Sequence, residues 1–165
     1  MSLHDTIAAI ATAPGTGGIG IIRMSGPEAA SILMRVFRPA GKDQNVPESH
    51  RLMYGKLTDG EQIIDECMAV IMRAPRSYTR EDVAEIQLHG GRYVINKALE
   101  LCLKAGARLA EAGEFTRRAF LNGRVDLSQA ESVMELISAR GEQEHRAAVR
   151  QLNGGASSFV RKFSD

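Results

Sequence analysis

A chain of 165 residues, 44% of them hydrophobic, is long enough to bury one real core and is expected to fold as one compact domain with at most an appendage. Lys and Arg total 21 against 20 Asp and Glu, and a net charge of +1 excludes strong long-range attraction to a polyanion, so a nucleic-acid role would need a local patch or a partner. No apolar run approaches the roughly 20 residues that cross a bilayer, and "MSLHDTIAAIATAPG" lacks the basic and apolar regions of a signal peptide, so the chain reads as soluble and cytoplasmic.

In chain order, "DTIAAIAT" at 5–12 and "IGIIRMSG" at 19–26 predict two short strands, the second β-branched and bounded by glycines. The intervening "APGTGG" then joins strand to strand. Ala29, Ile32, Leu33 and Val36 fall at helical spacing after Pro27, which predicts a helix near 27–37. The polar segment 38–49, with two prolines, reads as loop. Asp59-Gly60 between two β-rich runs predicts a hairpin, because glycine tolerates the positive φ of a tight turn.

A strand follows over Val83–Leu88, with Val83, Glu85 and Gln87 on one face and Ala84, Ile86 and Leu88 on the other. "RYVINKALELCLKAG" predicts an amphipathic helix ending at Gly106, its inner stripe formed by Val94, Ala98, Leu101 and Cys102. A short strand, a helix near 113–122 and a turn at Asn122-Gly123 come next. From Ser128 a capping box with Glu131 predicts one long helix, with Ala130, Met134, Ile137, Gly141, Ala148 and Leu152 as the stripe that needs a partner. Without one, this helix is expected to be mobile or to pack on another chain. The fold class is therefore α+β: an α+β domain over 1–120, and the start of a helical bundle over 121–165.

Few residues claim chemistry by pattern alone. Gly15, Gly17 and Gly20 match G-x-G-x-x-G, but a dinucleotide loop must open a helix, whereas Ile21-Ile22-Arg23 favours a strand, and the Lys-Ser/Thr of a Walker A loop is missing. The loop reads as a close-approach turn, or as backbone that could meet a flat ligand. Cys67 and Cys102 sit alone in apolar runs and read as buried thiols of a reducing compartment, with no metal-ligand spacing. His89, before Gly90-Gly91, reads as a satisfied turn histidine, since no motif places a nucleophile beside it. The charged run 140–150 reads as a solvated helix face, and Met34, Met53, Met68, Met72 and Met134 as core fillers. No residue is assigned a catalytic or metal-binding role.

Three ordered blocks, "DTIAAIATAPGTGGIGIIRMSG", "SYTREDVAEIQLHGG" and "GEFTRRAFLNGRVDLSQAE", resemble the N-terminal region of the MnmE (TrmE) family of tRNA-modification GTPases. The resemblance implies a mixed-sheet folate-binding and dimerisation domain similar to the aminomethyltransferase (glycine-cleavage T-protein) fold. It implies a bound tetrahydrofolate derivative, 5-formyl- or 5,10-methylene-tetrahydrofolate, held by Arg23, Glu85 and Arg124, the last where the family commonly has lysine. It further implies a homodimer that, with a flavoprotein partner (MnmG, GidA), modifies the wobble uridine of tRNA. GTP, Mg and K would belong to a GTPase domain whose motifs this chain does not contain. Two rivals are a stand-alone aminomethyl- or formyl-transferring enzyme and a dimerisation scaffold that binds no folate.

Overall fold

The computed structural model describes residues 4–41 and 47–154, which form two compact units, up to Ala112 and from Gly113. In the first unit, in chain order, lie β1 (Ile7–Ile10), β2 (Ile19–Ser25), α1 (Ala29–Val36), β3 (Phe37–Pro39), β4 (Met53–Asp59), β5 (Gln62–Met72), β6 (Val83–His89), α2 (Arg92–Lys104) and β7 (Arg108–Leu109). The seven strands make one mixed sheet in the order β3-β4-β5-β6-β2-β1-β7, antiparallel throughout except where β7 pairs parallel to β1.

Alternation along the strands builds the core on one face of this sheet. Ala8, Ile22, Met24, Cys67, Ala69, Ile71, Ala84, Ile86 and Leu88 project to the side where Ile32, Leu33 and Val36 of α1 and Ala98, Leu101 and Cys102 of α2 pack. Removing this apolar area from water, at about 25 cal/mol per Å², is the main term holding the layers together. The intervening residues Arg23, Glu85, Gln87, Val70 and Met68 therefore share the opposite face. The expected division of Val83–Leu88 holds for its helix-side residues: Ala84, Ile86 and Leu88 are at most 3% exposed, while Glu85 and Gln87 are only half-buried.

The predicted hairpin turns at Gly60, whose φ of 59° suits glycine. The predicted loop over 38–49 is corrected at its start, where Phe37–Pro39 pairs with β4 as an edge strand; the part of that loop at 42–46 lies outside the described residues. The helix predicted from 27 begins at Ala29, so Pro27 precedes it. Its start is set from outside: the Glu28 amide donates to the Thr6 hydroxyl at 2.8 Å, and Gly26, with φ 141°, lies so close to Thr6 that a Cβ would stand 2.6 Å from the Thr6 Cα.

The second unit contains α3 (Glu114–Leu121), α4 (Leu127–Ser138) and α5 (Glu142–Leu152). Two expectations are corrected here. The capping box is made by Asp126 and Gln129, not Ser128 and Glu131: Gln129 N–H donates to Asp126 Oδ1 at 2.7 Å, and Asp126 N–H donates to Gln129 Oε1 at 3.0 Å. An acid followed three residues later by Gln satisfies two amides one half-turn earlier than the Ser-x-x-Glu frame.

The long helix is two helices, interrupted where Ala139 (ψ 128°) and Gly141 (φ −146°, ψ 167°) take extended backbone. The halves fold against each other antiparallel: Gln129 Nε2 donates to the Leu152 carbonyl at 2.7 Å, and Gln151 Nε2 to the Ser128 carbonyl at 3.1 Å. Part of the stripe thus finds its partner in its own second half. Ala148 is fully buried, but Met134 and Ile137 are 55% and 75% exposed, so they leave the expected stripe. Met134 and the part-exposed Met68 are accordingly not core fillers. Any helical continuation past 154 lies outside the described residues.

Candidate functional site

Arg23 and Glu85 come from the two central strands β2 and β6, where they are directly opposed in register. Arg23 Nε donates to Glu85 Oε1 at 2.8 Å, and Arg23 Nη2 lies 2.7 Å from the same oxygen. The Glu85 side chain is 14% exposed and that of Arg23 34%, so the carboxylate lies deeper and the guanidinium shields its rim. Both strands are paired on both sides, which fixes the backbone positions from which the two side chains project. Ala9 and Val70 extend this cross-strand row, and Ile21, Gln87 and Met68 form the next, so that apart from Gln87 small and apolar groups surround the ion pair.

Arg124 belongs to the second unit. It is exposed in the turn between α3 and α4, with its backbone N–H donating to the Ala119 carbonyl at 2.8 Å. The structure thus brings together two of the three expected site residues and describes the third within a different unit.

The glycine segment joins β1 to β2, as expected of a strand-to-strand turn. Gly20 packs so tightly on α2 that a Cβ would meet Ile95 Cδ1 at 2.6 Å, and a Cβ on Gly90 would collide with the Gly17 carbonyl oxygen. Beside this crossing lies an open cleft of about 820 Å³, lined by the glycine segment and the first turn of α2.

Two arrangements carried little signal in the sequence. Asp65, a polar interruption in the apolar run of β5, accepts the His89 amide on Oδ2 at 2.9 Å and meets His89 Nδ1 with Oδ1 at 2.8 Å. His89 is therefore a turn histidine held through both backbone and ring. In α3, Arg118 Nη2 stands 3.3 Å from Glu114 Oε2, with both side chains at most 2% exposed. An i, i+4 spacing makes that pair possible, but only tertiary packing buries it.

Both cysteines are buried, as expected. Burial pushes each thiol up to about 12, with the Asp65 charge adding to the effect at Cys67, so neither supplies a thiolate nucleophile near neutrality. Among the described residues no three His, Cys, Asp or Glu side chains converge, and no helix is long and apolar enough to cross a membrane.

A mostly buried carboxylate held by a guanidinium on the broad face of an α+β sheet can accept further hydrogen bonds from donors that sit side by side. Residues 6–124 match the family model described as "GTP-binding protein TrmE N-terminus", and the chain belongs to that family. It is 54% identical over 159 residues to the tRNA modification GTPase MnmE of Listeria welshimeri, covering 96% of this chain and 35% of that protein. Against the proteins of the same name from Bacillus subtilis and Clostridioides difficile it is 50% and 51% identical, covering 96% and 100% of this chain and 35% and 36% of theirs. The chain spans about a third of the length of these relatives.

Proposed function

We propose that this chain is the folate-binding and dimerising part of a cytoplasmic tRNA-modifying GTPase. The observation that carries this reading is the Arg23–Glu85 pair. A pterin edge presents an exocyclic NH₂ and a ring N–H side by side, and a carboxylate fixed on a rigid strand accepts both. Arg23 meets Oε1 of Glu85 with both Nε and Nη2, which orients the carboxylate for a donor on its other oxygen. The small and apolar side chains of Ala9, Ile21 and Val70 beside the pair suit a ring lying on the sheet. Arg124 would meet an anionic part of the same ligand, its planar fork suited to a carboxylate.

The folate, as 5-formyl- or 5,10-methylene-tetrahydrofolate, would supply a one-carbon unit. The aminomethyltransferase-like fold, the homodimer, the flavoprotein partner and the wobble uridine of tRNA as target complete the reading. They follow from the family resemblance, as do GTP, Mg and K in a GTPase domain beyond this segment. The test is calorimetric titration of the purified chain with 5-formyltetrahydrofolate, in parallel with Glu85→Ala. Saturable binding that weakens at least tenfold in the variant is expected; a folded parent that takes up no heat of binding would refute the reading.

A further inference from the structure

We infer that the glycine-lined cleft is a binding site in its own right, for a small flat molecule that carries an oxyanion. Its volume of about 820 Å³ falls within the range of small-molecule sites. Ile10, Ile19 and Ile95 supply apolar wall, and Ile19 is 68% exposed at its rim. Arg92 and Asn96 lie four residues apart on α2, on one helix face, and both line the cleft. Among the described residues no carboxylate is paired with the Arg92 guanidinium, whose fork matches a carboxylate or phosphate.

The glycines supply the argument for an occupant. Gly20 and Gly90 are explained by the fold, because a Cβ on either would strike a neighbour. Gly17, which lines the cleft, is not: its φ is not positive, and a Cβ there would meet nothing nearer than the Ile19 carbonyl at 3.9 Å. Glycine costs conformational entropy on folding, and at Gly17 the folded chain gains no relief from clash or strain in return. What it gains is bare peptide surface in the wall of the cleft, against which a planar ring can lie while its anionic group reaches Arg92. This assignment goes beyond the folate reading and does not depend on it.

The test is titration of the isotope-labelled chain with sodium benzoate, a ring with a carboxylate, and in parallel with inorganic phosphate, an oxyanion without a ring, followed through backbone amide resonances. Benzoate is expected to shift Gly17 saturably, and to do so equally in Glu85→Ala. Arg92→Gln should weaken it about tenfold, the size of one charge-assisted hydrogen bond. Gly17→Ala, which the backbone accommodates, should weaken it with the remaining spectrum in place. Absence of a shift at Gly17, an unchanged response in Arg92→Gln, or phosphate reproducing the benzoate shifts at equal affinity would each overturn the assignment. Altered self-association of Gly17→Ala without benzoate shifts would overturn it in favour of a protein contact.

Discussion

Arg23 and Glu85 are separated by 62 positions in sequence yet directly opposed across two central strands, and two guanidinium nitrogens meet a single carboxylate oxygen. Each partner partly shields the other from water, so removing one leaves a half-buried charge without its counterpart. Arg23→Ala is expected to cost about 1 to 2 kcal/mol, and the double variant with Glu85→Ala less than the sum of the two singles. Urea unfolding of the four proteins in a double-mutant cycle measures the coupling, expected at about 1 kcal/mol because Arg23 remains a third exposed. A coupling of zero would mean that the pair is held by its strands alone.

The glycines divide into those the fold requires and those it does not. Gly26→Ala must place a Cβ 2.6 Å from Thr6 Cα and 2.7 Å from the Asp5 carbonyl, at a φ of 141° that is nearly closed to other residues. A loss of roughly 3 kcal/mol or more is expected, enough to unfold a marginal domain. Gly18→Ala, with open space around its Cβ, should stay within about 0.5 kcal/mol of the parent. Thermal unfolding of both variants checks the contrast.

Stability should fall in alkali for a reason that the buried thiols supply. Burial raises Cys67 and Cys102 from 9.0 to about 12 in the folded chain. A group with a raised folded value binds its proton more tightly when folded, so its contribution is complete below about 9 and is lost as pH climbs towards 12. Denaturant midpoints are expected to decline across that window in the parent and to decline less in Cys102→Ala. Below it, a thiol-specific reagent should label the folded chain far more slowly than the unfolded one. Equal rates would show that the thiols are reachable.

The onset of α4 offers a comparison of two neighbouring side chains. Asp126→Ala removes the acceptor of the Gln129 amide and should cost about 1 kcal/mol. Ser128→Ala, which removes a hydroxyl that accepts from Gln151 at 3.0 Å but caps nothing, should cost less. Chemical denaturation of the two variants decides which residue starts the helix.

These comparisons mark what local sequence encodes. The two strands around the glycine segment, the Asp59-Gly60 hairpin and the alternation of Val83–Leu88 were legible because period-two patterning and turn chemistry act over a few residues. Arg23 and Glu85 were identified by family resemblance, and their contact depends on a register between distant strands that no short window contains. The edge strand Phe37–Pro39 was hidden by its proline and its brevity. The break at Ala139–Gly141 was hidden because an apolar stripe continues across it, although glycine and extended backbone end the helix there. The start of α1 escaped local rules because its cap is a hydroxyl 22 residues away.

The order of strands has a bearing on how the molecule behaves in crowded solution. Sheet margins are templates for growth, because their unpaired amides and carbonyls can recruit a strand from another molecule. Here one margin is the three-residue β3, which ends in a proline that has no amide to offer, and the other is the two-residue β7. An incoming strand finds only a few bonds to make on either side, so the long central strands are fenced from polymerisation by their short neighbours.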